Sequence, residues 1–203
     1  GQSCGSTSRV FVDRSVHDEF LQRLVAAVEP LKQGAPDDWA TETGSMINQA
    51  QFDKVQYYVN LGKEEGSQLV LGGQHRTDGD MKDGLFISPA IFSGVDPNSR
   101  MAREEIFGPV MAVMPFSGYD EGLALANDTD LGLTAAVYTR DLTLAHRFAN
   151  DVEAGFVWVN DSSRHFIGAP FGGYKNSGIG REEDIEELES YTQVKNVNVW
   201  YAP

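Results

Sequence analysis

Residues 110–160 read VMAVMPFSGYDEGLALANDTDLGLTAAVYTRDLTLAHRFANDVEAGFVWVN, and their pattern decides the fold. The apolar, β-branched runs at 110–116, 133–139 and 155–160 read as strands, while 120–127 and 142–150 carry helical spacing between them. Strands separated by helices of about ten residues imply parallel pairing through right-handed crossovers. The expected fold class is therefore α/β, with a parallel-rich sheet covered by helices on both faces.

Upstream of that stretch, residues 9–13 (RVFVD) alternate and read as a strand. Ser15 begins a helix signal, with Asp18 completing a weakened capping box and Val16, Phe20, Leu24, Val25 and Val28 at helical spacing. That helix should stop before Pro30. Residues 32–44 are loop-like, and 48–63 form a second helix with Phe52, Val55, Tyr58 and Val59 on one face. Strands are expected at 68–71 and 86–92, the latter bent or at an edge because of Pro89, with a polar turn or hairpin over 75–84 between them. A short helix over 101–106 should end at Gly108 and Pro109. Downstream, a glycine-containing loop runs from Asn160 to Gly180, followed by an acidic helix over 181–188. The tail, QVKNVNVWY at 193–201, alternates Val194, Val197, Val199 and Tyr201 with polar residues, as a half-exposed strand seeking a partner sheet does.

At 203 residues the chain is long enough for one sizeable core, and its 41% hydrophobic and 23% charged residues are ordinary for a globular protein. No apolar run approaches the roughly 18 residues of a membrane span, so a membrane partner is not expected. The formal charge of -14 repels phosphate backbones, and nucleic acid is not expected as a partner either. A single cysteine, Cys4, cannot make an internal disulfide, and no basic, apolar leader is evident; the expected compartment is the cytoplasm.

Three segments could carry chemistry. In GQSCGSTSR (1–9) a lone cysteine stands among small polar residues, where glycines permit close backbone approach and the Cys4 backbone N–H could face a developing oxyanion. A free cysteine is more often a buried hydrophobe, but no apolar periodicity surrounds this one. In EEIFGPV (104–110) two adjacent carboxylates precede an aromatic residue; this is either a plain helix end or a carboxylate that binds a diol such as ribose beside a ring-packing Phe107. PFGGYKNSGIG (170–180) is a glycine-rich loop, which by itself signals tight turns. The histidines His17, His75, His146 and His165 lack metal-ligand spacing, and only His165, beside Arg164 in the long loop, is placed to line a site.

Taken together in this order, GQSCGSTSR, EEIFGPV, NDTDLGLTAAVYT, GFVWVN and PFGGYKNSGIGRE resemble the aldehyde dehydrogenase superfamily over essentially the whole chain. The resemblance implies oxidation of a small-molecule aldehyde to a carboxylic acid, with NAD or NADP as hydride acceptor. It makes Cys4 the nucleophile, flanked by Ser3 and Gly5, and gives its backbone N–H half of the oxyanion hole. It makes Glu105 the ligand of the nicotinamide ribose and Phe107 the aromatic beside the nicotinamide. Residues 161–167, with Asp161, Arg164 and His165, match the loop lining the substrate tunnel, and Phe171 matches an aromatic near the nucleophile.

The resemblance also implies a division into a catalytic part (1–190) and a C-terminal oligomerisation strand (191–203), with the family's cofactor domain, general-base glutamate and oxyanion-hole asparagine upstream of Cys4. The chain opens inside the nucleophile loop and is expected to be a fragment. Such a fragment should hold no cofactor and show little or no dehydrogenase activity alone, while the whole protein should be a homodimer or tetramer. Arg164 could give a preference for polar or anionic aldehydes, or could simply pair with a surface carboxylate. Two rival readings are a papain-like cysteine hydrolase, suggested by Cys-Gly-Ser with His146 or His165 downstream, and a non-catalytic assembly module. The hydrolase reading lacks the second cysteine and aromatic that should follow Cys-Gly-Ser, and leaves EEIFGPV and PFGG without a role.

Overall fold

A computed structural model describes residues 1–202, which divide into two compact units, Gly1–Thr129 and a second beginning at Asp130. The first unit runs β1 (Arg9–Asp13), α1 (His17–Val28), α2 (Gln49–Glu64), β2 (Gln68–Leu71), β3 (Ala90–Ser93), α3 (Arg100–Arg103), β4 (Val110–Phe116) and α4 (Gly118–Asn127). The second runs β5 (Leu131–Gly132), β6 (Thr134–Val137), α5 (Leu142–Asp151), β7 (Phe156–Val159), β8 (Tyr174–Lys175) and α6 (Ile185–Ser190).

In the first unit the sheet order is β1-β4-β3-β2, parallel except for the antiparallel edge pair β2·β3. Because side chains alternate along a strand, β4 serves two cores. Val110, Ala112 and Met114 pack with Phe52, Val55, Tyr58 and Val59 of α2, and with Ala90 and Phe92 of β3. Val113 and Met111 face the other way, with Val12, Ile91 and the α1 residues Leu21, Leu24, Val25 and Val28. Helices on both faces explain why β4 reads as a continuous apolar run. Phe92, Val55 and Val113 are fully buried, each such side chain contributing roughly 1.5–3 kcal/mol of transfer free energy. In the second unit β6 and β7 pair in parallel with α5 as the crossover, and Phe156, Trp158 and Phe171 form the core cluster. The α/β class with a mainly parallel sheet is therefore the architecture of this chain.

Several expected boundaries move, each for a local reason. Ser15 does not cap α1: its N–H and hydroxyl both bond Asp13 Oδ1, and the helix begins at His17 with no side-chain cap. The strand expected over 86–92 enters the ladder only at Ala90, because Pro89 has no N–H to donate; Ile87 makes a lone bridge to His75. The helix expected over 101–106 shrinks to Arg100–Arg103, and Glu104 is already extended. The acidic helix begins at Ile185, not residue 181. Glu182 instead bridges to Phe171, and Asp184 caps the helix by accepting from Glu186 N. The expected strand over 193–201 is not formed: residues 193–202 carry no secondary structure and are exposed, since an alternating segment becomes a strand only when another edge satisfies its backbone.

Candidate functional site

The nucleophile candidate sits at the tip of a turn. Ser6 N–H donates to Ser3 O at 3.0 Å, which places Cys4 and Gly5 at the centre of the turn, Cys4 exposed and Gly5 buried beneath it. Ser3, the other flanking residue, is exposed. The lead into the turn is tied down, with Gln2 Oε1 accepting from Ile47 N at 3.0 Å. A Cβ at Gly1 would run into the backbone of Gly108 and Pro109, so glycine here permits the lead into the Cys4 turn to lie directly on the EEIFGPV segment.

That segment is held by α2. Gln51 Nε2 donates to Ile106 O at 2.9 Å and to Phe107 O at 2.8 Å, and a Cβ at Gly108 would strike the Val55 side chain. Phe107 adopts φ 55°, a left-handed conformation that costs a bulky residue about 1–3 kcal/mol and persists where its surroundings enforce it. The two adjacent carboxylates have different fates. Glu104 accepts from Tyr58 Oη at 2.6 Å and takes a two-point grip from Arg100 at 2.7 and 2.9 Å, whereas the Glu105 side chain is exposed and bonds no other described residue. The Arg100 and Tyr58 bonds hold Glu104 below the usual carboxylate range. Burial, followed by the Glu104 bond, pushes Tyr58 up to about 12. An unpartnered, acceptor-only carboxylate next to a half-buried phenyl ring fits a ligand that carries a vicinal diol and a flat ring, as a nucleotide cofactor does.

The remaining candidates lie in the second unit. Phe171 is buried, 6% exposed, among Phe156 and Trp158. His165 covers it with ring centroids 4.7 Å apart, and its Nδ1 bonds Glu183 Oε1 at 2.7 Å. Arg164 is exposed and reaches Asp161 Oδ2 at 3.4 Å, so its guanidinium faces a carboxylate of its own loop. Its carbonyl accepts from Trp158 Nε1 at 2.7 Å. The structure thus brings Gly1, in the lead to Cys4, onto Gly108 and Pro109, and within the second unit brings Asp161, Arg164, His165 and Phe171 into one loop cluster.

Two residues of consequence were not signalled by the sequence. Gln51 is an ordinary polar position on a helix, and its role appears only because Phe107 lies beside that turn of α2. Glu183 is one of several acidic residues before α6, and only the return of the chain past His165 distinguishes it. Among the described residues no group of His, Cys, Asp or Glu could hold a metal ion, and no helix is long and apolar enough to cross a membrane.

The sequence profile of the aldehyde dehydrogenase family matches residues 1–197. The aldehyde dehydrogenase tropH of Talaromyces stipitatus is 48% identical over 203 residues, covering 98% of this chain and 39% of that protein. A betaine aldehyde dehydrogenase of Mesorhizobium japonicum is 43% identical over 199 residues, covering 98% of this chain and 41% of that protein. Among solved structures, the betaine aldehyde dehydrogenase of Staphylococcus aureus in complex with NAD+ superposes with a TM-score of 0.91 at 39% identity, over 100% of this chain and 42% of that one. The chain spans about two fifths of the length of these relatives.

Proposed function

The chain belongs to the aldehyde dehydrogenase family, and from that premise we propose that the whole protein oxidises a small aldehyde to a carboxylic acid with NAD or NADP as oxidant. The observation that carries the reading is the exposed Cys4 turn, whose lead-in residue Gly1 lies on Gly108 of a segment in which Glu105 is, among the described residues, the unpartnered carboxylate. In this reading the Cys4 thiolate adds to the aldehyde carbon, forming a C–S bond, while the carbonyl oxygen becomes an oxyanion that the Cys4 backbone N–H stabilises. The nicotinamide cofactor, when bound, supplies the hydride acceptor that turns this thiohemiacetal into a thioester. Water then cleaves the C–S bond, releasing the acid and returning the thiol.

Glu105 accepts the ribose hydroxyls, and Phe107 borders the nicotinamide. Residues 161–167 line the substrate's path, with Asp161, Arg164 and His165 among them, and Phe171 backs that loop. Assembly into a homodimer or tetramer uses the exposed, alternating tail from residue 191 onward. The division into a catalytic part over 1–190 and an assembly strand beyond it belongs to the same proposal.

The test is made in the whole enzyme by following cofactor reduction at 340 nm. Cys4→Ser is expected to lower kcat at least ~10³-fold while leaving cofactor binding intact, as befits loss of a nucleophile. Glu105→Ala is expected to raise the cofactor KM about tenfold, equivalent to roughly 1.4 kcal/mol, whereas Glu104→Ala leaves it near wild type. Retention of aldehyde oxidation by Cys4→Ser would overturn the proposal.

A further inference from the structure

Glu183 holds an unusual set of bonds. Its backbone sits at φ 68°, a left-handed conformation rare for a side chain of this size. Its N–H donates to Glu187 Oε2 at 2.7 Å, its carbonyl accepts from Gly168 N at 2.8 Å, and its Oε1 bonds His165 Nδ1 at 2.7 Å. Its Oε2 is buried with no hydrogen-bond partner among the described residues. A strained backbone and a partly desolvated carboxylate are both unfavourable, so the local structure must over-determine them.

What they hold is the loop. A carboxylate accepts, so the bond is made with the His165 Nδ1–H donating. In that orientation the imidazole lies over Phe171 at 4.7 Å and stacks with Phe156 at 6.1 Å and 20°, with the Trp158 ring at 6.4 Å. Trp158 in turn fastens the carbonyl of Arg164. Residues 164–168 are therefore clamped at both ends, by Trp158 at Arg164 and by Glu183 at His165 and Gly168. Phe166 and Ile167 between the clamps are exposed.

We infer that Glu183 is a positioning residue for aldehyde selection: through His165 and the Gly168 N–H it sets the conformation of the 161–168 loop and hence the shape presented to the substrate. The inference deepens the proposed function and rests on its assignment of that loop to the substrate's path. Glu183 touches no reacting atom, so its loss should weaken aldehyde binding and spare the chemical step.

Two measurements on the whole enzyme test it. The first is independent of catalysis: tryptic cleavage after Arg164, followed by mass spectrometry, is expected to quicken about fivefold or more in Glu183→Ala, and to stay within about twofold of wild type in Glu183→Gln, which keeps an acceptor for His165. The second is steady-state kinetics. Glu183→Ala is expected to raise the aldehyde KM about five- to tenfold with kcat within about threefold, Glu183→Gln is expected to restore most of it, and His165→Ala/Glu183→Ala should be no worse than the worse single variant. Unchanged cleavage in Glu183→Ala overturns the clamp. Faster cleavage with an unchanged aldehyde KM overturns its role in selection, as does an equal defect in the Ala and Gln variants. None of these results is the failure of the proposed function, which is read separately from Cys4→Ser.

Discussion

Tyr58 Oη donates a 2.6 Å hydrogen bond to Glu104 Oε2, joining α2 to the segment 46 residues further along the chain. Together with the Arg100 grip, this bond removes Glu104 from any ligand-binding role and leaves the adjacent Glu105 as the carboxylate available to one.

The pair gives stability a dependence on pH at both extremes. Glu104 is held below its ordinary 4.5, so its contribution is present above that value and is lost as pH falls towards the depressed folded value. Tyr58 is raised from 10.0 to about 12, so its contribution is present below pH 10 and is lost as pH rises towards 12. In Glu104→Gln the Tyr58 titration, followed at 295 nm, should move down only part of the way to 10.0, because burial is the larger cause. Thermal unfolding of the same variant should lose part of its pH dependence at the acid end.

Gln51 supports two carbonyls at once. Gln51→Ala leaves Ile106 O and Phe107 O without that donor, and is expected to destabilise by about 1–3 kcal/mol in urea unfolding. In the whole enzyme the same change should raise the cofactor KM several-fold while the aldehyde KM holds, since the Phe107 backbone is the strained element that Gln51 restrains.

Helix caps separate the residues that resemble caps from those that act as one. Asn48 Oδ1 accepts from Gln51 N at 2.9 Å, and Asn48→Ala is expected to cost about 1 kcal/mol. Ser15 caps nothing, so Ser15→Ala should cost no more than about 0.5 kcal/mol, in keeping with an exposed surface change. Urea midpoints of the two variants measured side by side check the order.

The tail can be removed without touching either core. Deletion after Ser190 is expected to leave thermal unfolding of the individual subunit nearly unchanged, since residues 191–202 are exposed. Light scattering is expected to show a smaller assembly for the shortened whole enzyme; an unchanged oligomer would remove the tail's proposed role.

Where a segment's own pattern is decisive, the sequence is a good guide to the fold. Alternation in 9–13 and the apolar run at 110–116 become β1 and β4 over the expected residues, and α2 buries Phe52, Val55, Tyr58 and Val59 as the helical spacing requires. Expectations failed where a second segment competes for the same backbone. Glu182 spends its backbone bonds on Phe171 before α6 can begin, and Ser15 spends its donors on Asp13. The candidate site shows the same division. Cys4, Glu105 and Phe107 stand out by residue type and motif, but choosing between Glu104 and Glu105 needs the positions of Tyr58 and Arg100.

By itself the sequence determined the α/β class, the order of most elements, the family resemblance and the residues able to do chemistry, because periodicity, turn residues and motif spacing are local properties of the chain. Only the tertiary structure decided which of two neighbouring carboxylates stays unpartnered, that Gly1 lies on Gly108, that Gln51 restrains Phe107 and that Glu183 clamps His165. Apart from the i,i+4 pair Arg100–Glu104, these depend on hydrogen bonds and close approaches between residues 15 or more apart in sequence, and in several cases far more, formed when burial of apolar faces brings those segments together.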